Sequence, residues 1–224
     1  MQGLMMDVPL TITSIMEHAE RVHGAQEIVS ITRDNPRHRY TYADSFARVR
    51  QLANAMDAWG LSRSDRIATL AWNDYRHFET YYASACAGYV CHTINPRLFP
   101  EQIVYIINHA EDQYVFLDPD FWPLVEQVAD QCTGVKGWVV MTTAEHMPET
   151  SLTNVLCYEA LVTAQSDRYE WPAIDENQAC ALCYTSGTTG NPKGVVYHHR
   201  GAFLNAIGNL MVWAMPPHPT FLWT

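Results

Sequence analysis

Ten residues, TSGTTGNPKG from Thr185 to Gly194, hold the densest chemistry in the sequence. Three glycines and four hydroxyl side chains make a loop whose backbone N–H groups can turn toward one concavity while Ser and Thr add donors. Such a nest binds oxyanions, and Lys193 adds a compact positive charge. The expected ligand is a phosphate group. The spacing excludes two other phosphate motifs. A Walker loop sets glycine before its lysine and Ser or Thr after it, but Lys193 lies between Pro192 and Gly194, and proline has no N–H to give. The dinucleotide fingerprint G-x-G-x-x-G is absent, so a nicotinamide or flavin site has no support. The structural alternative is an ordinary glycine-rich hairpin, and Pro192 with Lys193 at this spacing argues against it.

Other reactive side chains have simpler readings. Cys180 and Cys183 form a C-x-x-C, but residues three apart on a strand point to opposite faces, so the sulfurs should not meet. His198 and His199 are neighbours at the start of a helical stretch, where side chains diverge by about 100° and seldom share a metal. Together with Arg200 they read as a helix entry or the rim of a ligand site. Arg97 in the NPRL tract could touch a ligand, with packing or a subunit contact as the expected use. His77 and His109 have no partner visible in the sequence.

The elements that must position this turn follow from periodicity. An apolar strand at 179–184 enters it and a second apolar run, Val195 to Tyr197, leaves it. Upstream, the β-branched and aromatic runs at 66–72, 88–94, 113–118 and 137–141 alternate with helical stretches near 75–87, 99–110 and 120–132. Strand and helix repeated at this interval require parallel pairing with right-handed crossovers. The expected fold is α/β, a mostly parallel sheet flanked by helices. Ser14 and Glu17 at capping-box spacing, with Gly24 as a stop, predict a helix over 14–23. A second helix starts at Thr41, with Phe46, Val49, Leu52, Ala53, Met56 and Trp59 on one stripe and Gly60 closing it. Residues 143–177 are irregular apart from a short helix near 157–164. Phe203, Ile207, Leu210, Met211 and Ala214 form a stripe expected to face a core. The organisation expected is an α/β subdomain over 1–178, with 179–224 opening the next.

The chain carries 14 Lys and Arg against 24 Asp and Glu, a net charge of −10 over 224 residues, which argues against nucleic acid. With 48% hydrophobic residues it should bury a core. Six cysteines without framework spacing suit a reducing, cytoplasmic compartment, and the first twenty residues lack a basic start of the signal-peptide kind. The charge-free runs 80–96 and 201–224 contain polar residues or proline, and neither reads as a membrane span. The run from Gly201 has no charged residue and finishes on an apolar FLWT, which reads as a strand awaiting its continuation.

YTSGTTGNPKGVVYHHRG, residues 184–201, resembles the signature of the adenylate-forming enzymes, a superfamily that includes acyl-CoA synthetases, peptide-synthetase adenylation domains and firefly luciferase. RYTYADSFARVRQLANAM, SRSDRIATLAWN and HTINPRLFPEQIVYIINHAEDQYVFLD resemble the acyl-CoA synthetase branch, most nearly its medium- and long-chain fatty acyl-CoA and 3-methylmercaptopropionyl-CoA ligases. Ser64 stands where such enzymes usually have glycine. The resemblance implies the N-terminal part of the family's large domain, about 40% of the usual chain. It implies an AMP-forming ligase that uses ATP, Mg²⁺ and CoA on a carboxylic acid. It also implies that Thr185 contributes an oxygen to Mg²⁺, and that Ser186, Gly187, Thr188, Thr189, Gly190 and Lys193 line the β- and γ-phosphates. The catalytic residues are expected beyond residue 224, and a homodimer through this N-terminal part is expected. The alternative is a truncated, non-catalytic module that folds, binds nucleotide weakly and mediates association.

Overall fold

The computed structural model of the chain describes every residue except 2, 186–190 and 224. Its helices are α1 (Ile12–His23), α2 (Tyr42–Asp57), α3 (Tyr75–Cys86), α4 (Pro100–Ala110), α5 (Trp122–Val128), α6 (Tyr158–Thr163) and α7 (His199–Val212). Its strands are β1 (Glu27–Ser30), β2 (His38–Thr41), β3 (Arg66–Leu70), β4 (Val90–Thr93), β5 (Asp112–Leu117), β6 (Gly137–Val140), β7 (Val155–Cys157), β8 (Ala179–Thr185) and β9 (Lys193–His198).

β1 and β2 form an antiparallel pair beside a seven-stranded sheet in the order β7-β6-β5-β3-β4-β8-β9. All its pairings are parallel except β8 with β9. The mostly parallel α/β expectation therefore holds, with one antiparallel hairpin at the edge. Strands β3 to β6 are covered on both faces, as parallel strands are. Ile67, Phe116 and Val139 pack under α1, α2, α3 and α6 through Met16, Phe46, Ala83 and Tyr158. Ala68, Val115, Leu117 and Val140 point the other way, against Ile103, Ile106 and Ile107 of α4 and Val125 of α5.

Local chemistry sets the helix ends. Thr41 and Asp44 form a reciprocal capping box at the start of α2, with Asp44 N–H donating to Thr41 Oγ1 at 3.2 Å and Thr41 N–H donating to Asp44 Oδ2 at 3.0 Å. α1 begins two residues before the expected Ser14, because Thr11 accepts the Ser14 N–H at 3.2 Å and is itself the cap. The expected stripe on α7 does not reach a core. Ile207, Leu210 and Met211 are exposed. Phe221 to Trp223 form no strand.

Ser64 adopts φ 67°, a left-handed conformation that glycine takes at no steric cost. Its N–H donates to Gly88 O at 2.9 Å, which ties the turn before β3 to the one before β4.

A buried ionic cluster lies on the α2, α3 and α6 face. Glu79 is fully buried and accepts from Arg48 Nε at 2.8 Å, Tyr158 Oη at 2.7 Å and Tyr40 Oη at 3.0 Å. Glu159 takes Arg76 Nε at 2.8 Å and Tyr75 Oη at 2.8 Å, and Arg76 continues to Asp34 at 2.7 Å. Burial opposes ionisation of Asp34, but hydrogen bonds from Arg76 and Thr32 outweigh it and bring its pKa down to about 2.

Candidate functional site

The glycine-rich turn joins β8 to β9. The sequence makes that hairpin because ACALCYT and KGVVYH are short runs rich in β-formers around turn residues. Thr185 closes β8 and lies opposite Lys193, the first residue of β9. Both are exposed, so a hydroxyl and an ammonium-bearing side chain stand at the two ends of the turn. Ser186, Gly187, Thr188, Thr189 and Gly190 lie outside the described residues.

One pair further down, Tyr184 faces Gly194. A Cβ on Gly194 would lie 3.3 Å from Tyr184 Cζ and 3.2 Å from Leu182 Cδ1, so glycine lets that aromatic ring sit close to the partner strand. The Tyr184 hydroxyl is 2.6 Å from His109 Nδ1 at the end of α4. Its ring also lies 5.3 Å from that of His92, which shares a buried 2.8 Å contact with Asp112. None of these partners has a local sequence signal, because residues 109 and 184, or 92 and 112, meet only through the sheet. The sole clue was an aromatic residue immediately before the turn.

At the end of β9 the histidines serve the helix entry. His198 caps α7 by accepting the Gly201 N–H at 2.8 Å, and Arg200 pairs with Glu176 at 2.6 Å. His199 is buried and accepts the Ile12 N–H at 3.2 Å, with burial and then His198 lowering its pKa to about 4. Cys180 is buried at a register shift of the β8–β9 pair, Cys183 is half-buried, and all six cysteines are free thiols.

Among the described residues, cavities open at the carboxyl ends of the parallel strands. The order β4-β3-β5-β6-β7 changes direction between β3 and β5, the place where open α/β sheets leave a crevice. A cavity of about 690 Å³ lies there, lined by Trp72, Asp74, Asp118 and Asp120 with Arg33 and Arg76. Arg33 and Arg76 are already paired with Asp120 and Asp34. Burial and the neighbouring Asp74 lift Asp118 to about 7. This acidic crevice does not suit a triphosphate. The smaller groove, about 280 Å³ between the ends of β3 and β4, is lined by Trp72, Asn73, Asn95 and Arg97 and so offers amide donors and one guanidinium. Because β4 is the neighbour of β8, Arg97 lies on the glycine-rich turn's side of the sheet.

Residues 16–224 match the AMP-binding enzyme family. The chain is 48% identical over 209 residues to a 3-methylmercaptopropionyl-CoA ligase of Ruegeria lacuscaerulensis, covering 93% of this chain and 39% of that protein. It is 48% identical over 216 residues to a medium-chain-fatty-acid–CoA ligase of Ectopseudomonas oleovorans, covering 96% of this chain and 39% of the relative. The chain thus spans about 39% of the length of these curated relatives. The fold is that of a solved anthranilate CoA ligase in complex with anthranoyl-AMP, with a TM-score of 0.76 at 21% identity over 92% of this chain and 38% of that one. With the match running over nearly its whole length, the chain belongs to the AMP-binding enzyme family.

Proposed function

We propose that this chain is the N-terminal part of an AMP-forming acid–thiol ligase that activates a fatty or short-chain carboxylic acid. In the first step a carboxylate oxygen attacks the α-phosphorus of ATP, the bond to the β-phosphate breaks and pyrophosphate leaves. In the second the CoA thiol attacks the acyl carbon, loses its proton and expels AMP. The observation that carries this reading is the pairing of Thr185 with Lys193 across the ends of TSGTTGNPK, in a chain whose relatives are named as CoA ligases.

The protein's task in the first step is positioning and charge neutralisation. Lys193 supplies one positive charge, and Ser186 to Gly190 supply N–H and hydroxyl donors toward the β- and γ-phosphates. Mg²⁺ carried by a nucleotide keeps several waters and takes only one or two protein oxygens. The Thr185 hydroxyl fits that demand, and among the described residues no group of three or more His, Cys, Asp or Glu is placed to hold a metal. When bound, the ion would offset phosphate charge. We further assign residues 179–224 to the opening of a second subdomain. Two more assignments are a homodimer and a reducing cytoplasmic setting, the latter in keeping with six free thiols. Among the described residues no helix is long and apolar enough to cross a membrane.

Calorimetry of the chain with Mg-ATP, beside hydroxamate trapping of acyl-adenylate in a protein extended to the relatives' length, tests the reading. Trapped hydroxamate in the extended protein is the expected result. Its absence with every carboxylic acid tried, while the protein stays folded, would favour the non-catalytic module.

A further inference from the structure

β8 is held by β4 only from Ala181 to Cys183, so Tyr184 and Thr185 run past the end of that ladder. β9 is the last strand of the sheet, and all six of its residues are exposed. In this chain the two ends of the glycine-rich turn therefore run past the β4 ladder as a two-stranded ribbon, the kind of element that is marginal without added contacts. A cross-tie reaches it from the α4 side, where the Tyr184 hydroxyl meets His109 Nδ1 at 2.6 Å. His109 in turn stacks on Tyr105 one turn earlier in α4, 5.2 Å between ring centres. The Tyr184 ring is seated between His92, held by Asp112, and the bare Cα of Gly194.

We propose that Tyr184 and His109 are positioning residues that set where Thr185 and Lys193 stand, by tying the unladdered end of β8 to the last turn of α4. The proposal rests on the reading of 185–194 as the phosphate site. Neither residue lies within 185–194. They act through the backbone of Thr185, which follows Tyr184 directly, and through the Tyr184–Gly194 pair, which fixes the register of Lys193.

The test is amide hydrogen exchange of the 224-residue chain, read in peptides spanning 181–198, for Tyr184→Phe, His109→Leu and His109→Asn, with Mg-ATP titrated into each. Loss of one hydrogen bond of ordinary strength predicts roughly five-fold faster exchange in this hairpin for Tyr184→Phe and His109→Leu. β3 and β5 peptides should be unchanged. Asparagine can place its amide near the position of Nδ1, so His109→Asn should stay within about two-fold of the unmodified chain. Mg-ATP affinity should fall in the two loosened variants and hold in the rescued one. Unchanged hairpin exchange in Tyr184→Phe, or equal behaviour of the Leu and Asn variants, would show that the ring only packs and would overturn the proposal. So would a loosened hairpin with unaltered Mg-ATP affinity. Absence of Mg-ATP binding in every form, the unmodified chain included, would instead overturn the phosphate-site reading beneath it.

Discussion

Replacing Glu79 by leucine should destabilise the fold more than any surface change, and the structure sets the size of the effect. The carboxylate is fully buried and accepts from Arg48, Tyr158 and Tyr40 at 2.7 to 3.0 Å. Leucine fills similar space but accepts nothing. Arg48 retains Glu159 at 3.1 Å, Tyr40 retains Ser45 at 3.1 Å, and Tyr158 keeps only a long 3.4 Å contact to Arg76 O. Three donors thus lose a partner but only one is left poorly served, so the cost belongs near about 3–5 kcal/mol, the range for breaking a buried charge pair from one side. At roughly 2–4 °C per kcal/mol for a chain of this size, thermal unfolding followed by circular dichroism should shift down by about 6–20 °C. Glu79→Gln keeps an acceptor and the volume and should lose less. Removing Arg48 as well, in Arg48→Met with Glu79→Leu, should cost clearly less than the two single changes summed. A Glu79→Leu protein within about 1 kcal/mol of the unmodified chain, or strict additivity in the double variant, would refute the argument that this cluster acts as one buried unit.

Three further outcomes follow from local geometry. Ser64→Gly should raise stability by about 0.5–1 kcal/mol, because relief at φ 67° exceeds the entropy glycine adds to the unfolded chain; chemical denaturation showing a loss would contradict this. Gly194→Ala should push Tyr184 aside and weaken its contact with His109, seen as altered Tyr184 ring resonances with the parallel strands undisturbed, whereas unchanged resonances would mean the seat is not tight. Asp118 has its folded pKa raised to about 7 by burial and by Asp74, so the folded form holds a proton that the unfolded chain has already lost above pH 4. Its contribution is fully present below pH 4 and fades as pH climbs toward 7, so Asp118→Asn should gain on the unmodified protein by a few kcal/mol between those values. A stability difference that is flat with pH would count against it.

What the sequence revealed tracks how local each signal is. Strands β3 to β6 were legible because RIATL, VCHT, YVFL and GWVV are almost wholly buried and so read as short runs rich in β-branched and aromatic residues rather than as an apolar-polar alternation. β1 and β2 were not, since EIVS and HRYT are half-exposed and carry charge, and β7 is only three residues long. The start of α1 was misplaced because Thr11 and Ser14 both carry hydroxyls that can cap, and only backbone geometry separates them. In this chain the α7 stripe meets no core, and Ala214 falls beyond the helix end: periodicity tells which residues share a face, and nothing in it tells what that face meets. The opposed faces expected for Cys180 and Cys183 presumed a regular strand, whereas the β8–β9 register shifts between Ala179 and Ala181, beside Cys180. At the candidate site, Thr185 and Lys193 were visible by type and spacing, whereas the contact of His109 with Tyr184 was not, because 75 residues separate them in the chain.

The most direct test of the central claim is ATP–pyrophosphate exchange in the protein extended to its relatives' length, comparing the unmodified form with Thr185→Ala and Lys193→Ala. Loss of one group that stabilises developing charge should lower the exchange rate by one to three orders of magnitude in each variant, with the fold intact by circular dichroism. Exchange at the unmodified rate in both would contradict the assignment of this turn to the triphosphate.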